Sequence, residues 1–439
     1  MTPDLPLATG HSPLTSPALP LATRTVEVDA GPARLLVLPT ATRDVVSFRA
    51  SVRVAPDLTT SDDVALGLVA DVLDKGTRHR DRHAFADALD GRGATLSFYA
   101  DSLRLGVAGR ALRADLPDVL ALAAEALREP LLDADEIRKA TDRTVAAVKR
   151  SRESTGQQAG GAMARRLVPR DHPNYVYTPE DEEERAAALT PDDVREAWQR
   201  HVGSDGFLLA VVGDADPGAV AAIVADRFGG WAAHGRTARF AADASPAAPG
   251  REDLPIADRT SLDVRLAHAV ALRRDSPDFL AAYAAVYALG GNFSSRLMQT
   301  IRDEQGLTYG IGAALGGVAV EHDGGFGVSV TLSQESLERG IAAVREEVER
   351  FVADGVPAEA LAQVQTTLAG LHVVAFATTG GLAARLLVNA ERGFDVGYLD
   401  RYPDLVRALT PAEATAALRR HVRPADLHVT VAGTFPPPA

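Results

Sequence analysis

Arg302 and Tyr309 lie seven positions apart and pair a permanent cation with a directional hydrogen-bond donor. A guanidinium stays charged at any working pH and a phenol donates one proton, so together they can hold a carbonyl or a developing oxyanion. The spacing alone favours an arginine lying over the surface at a helix end and a tyrosine anchoring a strand, and it is the surrounding signature that turns the balance toward a functional pair. A second constellation is the run His79-Arg80-Asp81-Arg82-His83. Its two histidines could share a metal if both lay on one helix face. Arg78, Arg80 and Arg82 crowd this run and no glutamate separates the histidines, which favours a solvated basic face over a metal site. The 439 residues include no cysteine, so disulfides, thiolate zinc sites, iron–sulfur clusters and a cysteine nucleophile are excluded together. A net charge of −13 argues against a surface that neutralises phosphates, and nucleic acid is not an expected partner.

The elements that must position these residues read as two copies of one unit. Leu189 to Val202 begins Leu-Thr-Pro and ends His-Val, and Leu409 to Val422 repeats that frame 220 residues later. Each Thr-Pro places an N-cap before a proline at the first helical position, and each helix runs into an apolar strand, Phe207 to Gly213 and Leu427 to Gly433. Val46, Phe48, Ala50, Val52 and Val54 alternate as a half-buried strand, and Val264, Leu266, His268, Val270 and Leu272 repeat the pattern. Apolar helices follow at Val64 to Leu73 and Phe279 to Leu289. Ser333 is placed to cap a helix with Leu337, Ile341, Val344, Val348 and Val352 on its apolar face, ended by Gly355. Strand runs followed by helix runs predict an α+β fold: two homologous halves, each a largely antiparallel sheet packed with helices. The expected layout is a disordered arm over 1–23, a first domain over 24–231, a linker over 232–258 without sustained periodicity, and a second domain over 259–435. Arg302 falls near the end of a helix expected over 294–305, Gly306 stops it, and Tyr309 lies on or just before the next strand, so the chain reversal can bring the two side chains together.

The stretch Leu289-Gly290-Gly291, Ser295-Arg296-Leu297, Arg302 and Gly306-Leu307-Thr308-Tyr309, preceded by Pro277-Asp278, resembles the second-half signature of the pitrilysin/insulinase family of zinc peptidases, which includes the mitochondrial processing peptidases. His172-Pro173, the strand ending Val212-Gly213-Asp214 and the two-copy layout extend the resemblance over about residues 24–435. The resemblance implies an inverted zinc motif, H-x-x-E-H, on a helix of the first half ahead of the Gly76-Thr77 turn, with a third carboxylate ligand further on. The matching positions hold Gly67, Leu68, Val69, Ala70 and Asp71, and the third-ligand position falls near Lys149. Gly67 and Lys149 offer no ligand, Ala70 stands where the general base belongs, and Asp71 alone cannot hold zinc. The family's Asn-Ala-x-Thr strand is altered to Leu96-Ser97-Phe98-Tyr99. In the family, the counterparts of Arg302 and Tyr309 reach toward the zinc site and bind substrate carbonyls.

A chain without the metal set but with the Arg/Tyr pair resembles the non-catalytic kind of subunit in peptidases that divide labour between two chains. The expected function is a substrate-binding subunit of a heterodimeric zinc endopeptidase that supplies Arg302 and Tyr309 in trans. No cofactor is expected in this chain, with zinc in an H-x-x-E-H partner, and peptides as substrates. The alternatives are a structural core-type subunit and a stand-alone peptide-binding protein. Met1 to Ala22 lacks a basic start and an apolar run, and no stretch has the length of a membrane span, so the expected location is the cytoplasm and no membrane partner is foreseen.

Overall fold

The computed structural model describes residues 20–245 and 248–435. The first sheet is built from β1 (Val26–Ala30), β2 (Ala33–Pro39), β3 (Val45–Arg53), β4 (Thr95–Ala100), β5 (Arg104–Leu112) and β6 (Leu208–Gly213). The second is built from β7 (Arg251–Pro255), β8 (Ser261–Val270), β9 (Ile311–Gly316), β10 (Gly324–Ser333) and β11 (His428–Gly433). Their orders are β1-β2-β6-β3-β5-β4 and β7-β11-β8-β10-β9. Past β1 the two sequences of neighbours correspond strand for strand. Even the single parallel pairing recurs, β2 with β6 and β7 with β11. The α+β architecture expected from the sequence is the one observed.

Local chemistry accounts for the repeated helices. Pro191–His201 and Pro411–His421 both open on a capping box. The hydroxyls of Thr190 and Thr410 accept from the amides of Asp193 and Glu413, whose carboxylates accept the threonine amides at 2.8 Å. Each helix ends in a buried histidine paired with the aspartate at the start of the apolar helix of its own half: His201 with Asp62 at 3.1 Å, and His421 with Asp278 at 2.8 Å. Apolar faces of these helices and of Asp62–Val72 or Phe279–Gly290 close one side of each sheet into a core.

Three boundaries differ from expectation. The arm expected over 1–23 lies outside the described residues as far as residue 19. Its end is ordered: Leu21–Arg24 forms a helical turn whose first amides, Leu21 and Ala22, donate to Asp400 at 2.7 and 2.9 Å. The stretch read as a linker, 232–258, contains β7, which is the second half's counterpart of β2. It was illegible because Arg251-Glu-Asp-Leu-Pro255 is a mostly charged, exposed edge strand whose partner, β11, lies far off in sequence. The helix Leu337–Asp354 is preceded by Ser336 at its cap position, not Ser333, which instead pairs with the Ser336 hydroxyl.

The outer face of each sheet is closed by a helix from the other half. Thr155–Leu167 of the first half lies on β8 and β11, with Met163 and Leu167 against Ala267 and Ala269. Its Thr155 hydroxyl donates to Asp263 at 2.7 Å, and Thr430 of β11 donates to its Ala159 carbonyl at 2.8 Å. In return, Thr379–Glu391 of the second half lies on β3 and β6. Its Ala383, Leu386, Leu387 and Ala390 pack on Leu36, Leu38, Ala210 and Val212. Thr379 meets Ser47 at 2.8 Å and Glu391 accepts from Ser51 at 2.6 Å.

Candidate functional site

The helix Phe279–Gly290 ends on two glycines because β9 passes against its last turn: a Cβ on Gly290 would lie 2.3 Å from the Ala313 nitrogen. The chain then turns through Asn292 and Phe293 into a second helix. The helix is fixed by Arg296, which pairs with the buried Glu347 at 2.5 Å. Its last turn widens, with the Gln305 amide donating to the Thr300 carbonyl at 3.2 Å. The Gly306 amide donates to Arg302 and the Leu307 amide to Ile301, both at 3.0 Å, with Gly306 at φ +62°. This is an αL stop on a widened last turn, and it needs the left-handed conformation that glycine adopts freely. Thr308 donates to the Thr331 carbonyl of β10 at 2.6 Å, which pins the segment just before Tyr309.

These constraints bring Arg302 and Tyr309 together. The guanidinium carbon lies 5.4 Å from the Tyr309 ring and 5.9 Å from that of Phe293. Tyr309 is 90% exposed and Phe293 77%. Among the described residues, the one carboxylate paired with Arg302 is that of its neighbour Asp303, at 3.4 Å. A half-buried cation beside two exposed rings, with only the 3.4 Å contact to Asp303 among the described carboxylates, can engage an incoming carbonyl or carboxylate. Phe293 was missed in the sequence. Its position in Gly-Gly-Asn-Phe-Ser-Ser, a large aromatic among turn residues, was the available signal.

The degenerate metal positions lie on two helices. Gly67, Ala70 and Asp71 are on Asp62–Val72, and Lys149 is on Ala134–Ser151. Ala70 is buried in the first core, and Lys149 is held by Glu183 at 3.3 Å. Burial raises the Asp71 carboxyl above its ordinary value, with Arg143 opposing the rise. One carboxylate facing an arginine, a backbone without a side chain and a lysine committed elsewhere do not make a zinc ligand set. The histidine pair is separated by the fold: His79 sits in the turn before the helix Arg82–Asp90 and contacts Glu129 at 2.9 Å, whereas His83 is inside that helix.

The sequence reading also missed a groove of about 720 Å³ on the face of the second sheet turned toward Thr155–Leu167. Strand register paves it with small residues in three rows: Ala269-Gly325-Gly316, Ala267-Gly327-Ala314 and Arg265-Ser329-Gly312. Met163, Ala164 and Leu167 form one wall. The groove continues round β9 to Tyr283 and Tyr287. Among the described residues β9 pairs only with β10, so its outer edge offers amides and carbonyls beside the groove. Alternate glycines in two strands were the sequence signal, because strand glycine marks a close approach of backbone or ligand.

Residues 188–368 match the Peptidase M16 inactive domain family. Over 325 residues the chain is 25% identical to an uncharacterised zinc protease of Streptomyces coelicolor, covering 72% of this chain and 69% of that protein. The structure of a peptidase M16 inactive domain from Pseudomonas fluorescens superposes with a TM-score of 0.82 at 20% identity, covering 94% of this chain and 98% of that one. A protease from Helicobacter pylori gives 0.79 at 14% identity, with 93% and 98% covered. The periplasmic protease PqqL from Escherichia coli gives 0.77 at 14% identity, covering 98% of this chain but 48% of that one. The fold is that of the M16 peptidase structures.

Proposed function

We propose that this chain is a non-catalytic, peptide-binding M16-type subunit that acts beside a zinc-carrying partner of the same fold. The observation that carries this reading is the pairing of Arg302 with the exposed ring of Tyr309 in a chain whose metal positions hold Gly67, Ala70, Asp71 and Lys149. Hydrolytic metal chemistry belongs to the partner. This chain's residues bind and orient: the Arg302 guanidinium and the Tyr309 hydroxyl donate to the carbonyl oxygen of the bond being cut, where negative charge develops. The groove beside β9 holds an extended stretch of the same peptide, which can add as a strand to the free edge.

The chain is purified alone and with an H-x-x-E-H relative, and both are assayed on a mixed peptide library. The expected result is no zinc-dependent cleavage by the chain alone and cleavage by the pair. In the pair, Arg302→Ala with Tyr309→Phe lowers kcat on the order of a hundredfold, the scale for losing oxyanion donors. Full activity of that double variant overturns the role of the pair. The groove lies wholly within this chain and so favours one second reading, a stand-alone peptide-binding protein. That reading is identified by peptide binding without the relative and no activity with it.

A further inference from the structure

We infer that Arg274, Arg385 and Arg392 form an acceptor site for acidic side chains of a peptide lying in the adjoining groove. The inference rests on the peptide-binding reading above and names the class of peptide. Arg385 lies on the helix Thr379–Glu391, and Arg392 follows its last residue, so the two are seven positions apart and on one side of the helix. Arg274 comes from the turn after β8, where its amide donates to the Ala319 carbonyl at 2.9 Å. Its guanidinium lies over Phe279 at 4.3 Å and Tyr283 at 5.8 Å.

Among the described residues, none of the three guanidiniums has an ion pair or a side-chain hydrogen bond. The carboxylates around them are engaged elsewhere. Glu391 accepts from Ser51 and lies 3.9 Å from Arg104, while Glu321 pairs with Arg104 at 2.8 Å. Asp395 pairs with Arg401 at 3.0 Å, Asp400 accepts the Leu21 and Ala22 amides, and Asp101 accepts those of Leu103 and Arg104 at 2.8 Å. Arg274 and Arg392 are half-buried and the exposed Arg385 stands beside them, so like charges face one another without a directly paired carboxylate, which is unfavourable. Burial, and then Arg274 and Arg385, pull Arg392 down to about 10. An incoming carboxylate relieves that repulsion and accepts bidentate, charge-assisted hydrogen bonds, for which arginine is the suited donor. Tyr398 and Tyr402 stand nearby, and burial with the adjacent phenols pushes Tyr402 up to about 12, so its hydroxyl keeps its proton.

Two residues join this cluster to the groove. Tyr283 lines the groove and lies beside Arg274. Asn174 lines both the groove and a second cavity of about 350 Å³ that Arg392 also lines. A peptide in the groove therefore has its flanking residues at the cluster. The net charge of −13 does not prevent this, because it is spread over the whole chain and Coulomb energy falls with distance, so the guanidiniums nearest the peptide dominate the field it meets.

The probes are two fluorescein-labelled decapeptides of alternating Val, Thr and Ala, made in both orientations, with three terminal residues either Glu or Gln. Binding to the full chain is followed by fluorescence anisotropy at low and at high salt. The expected result is that the Glu peptide binds about tenfold or more tightly than the Gln peptide at low salt, the scale of one or two charge-assisted contacts. The preference is lost at high salt, in Arg385→Gln and in Arg385→Gln/Arg392→Gln, while Gln-peptide affinity is unchanged. Thermal melts of both variants should match the parent or exceed it, since repulsion is removed. Equal binding of Glu and Gln peptides to the parent overturns this inference and leaves the peptide-binding reading standing. Absence of binding by either peptide overturns that reading itself.

Discussion

At the scale of single residues, Arg302 and Tyr309 meet at the surface, while Gly67, Ala70, Asp71 and Lys149 do not make a metal ligand set. His172 shows how tightly an inner residue can be set. Its ring is fully buried and its Nδ1 accepts the Asn174 amide at 3.0 Å, so the neutral form carries its proton on Nε2. Burial, followed by the neighbouring His322, lowers its pKa to about 4. Because the folded value lies below the unfolded one, the unfolded chain takes up a proton first as pH falls. The stability that depends on neutral His172 is therefore full above about 6.5 and is lost between there and about 4. The loss amounts to up to about 3 kcal/mol. Asp323, 3.7 Å away, is raised by burial and offsets part of the loss at the acid end. Melting temperature against pH should fall across that window in the parent and more gently in His172→Gln, whose amide oxygen can still accept from Asn174. A parallel fall in the variant would remove His172 from the account.

At the scale of elements, legibility followed the range of the interaction. The capping boxes at Thr190 and Thr410 and the αL stop at Gly306 are complete within a few residues, so their types and order announced them. The Arg302–Tyr309 meeting was readable for the same reason, since one helix stop and one pinned threonine create it. The groove was not. Its rows draw on β8, β10 and β9, and a floor of glycines carries no chemical group to notice. This makes Gly327 a clean test. A Cβ there meets Ala267 at 3.5 Å, an ordinary contact, and its φ is not positive, so Gly327→Val fills the groove without forcing the backbone. A β-branched side chain in a strand should leave stability within about 1 kcal/mol of the parent or raise it. Peptide affinity should fall by about tenfold or more, the effect of a blocked subsite. Undiminished affinity in a folded Gly327→Val would place the peptide elsewhere.

At the scale of the whole molecule, the two halves are distinct in sequence but interlocked in space, through the exchange of Thr155–Leu167 and Thr379–Glu391. At the second contact alone, Leu36, Leu38 and Val212 meet Leu386 and Leu387, all buried. Burying five such side chains contributes on the order of 10 kcal/mol, comparable to the entire net stability of a typical domain. Neither half can retain that contribution by itself, because each sheet is left with one uncovered apolar face. The intact chain should therefore unfold in a single transition, with calorimetric and van't Hoff enthalpies in agreement. Fragments 20–245 and 248–435 made separately should bind a hydrophobic dye and lack a cooperative melt. Co-expressed, they should recover a complex that melts close to the intact chain, since the break falls outside both sheets and both exchanged helices. Two resolved transitions in the intact chain, or a lone fragment that is monomeric and melts cooperatively, would show that the exchanged helices decorate two independent domains and do not lock them. The same lock bears on the proposed function: Asn174 comes from the first half and the β9–β10 floor from the second, so the groove exists only while the halves are joined. Peptide binding and cooperative folding should therefore be lost together as denaturant is raised, with one midpoint for both.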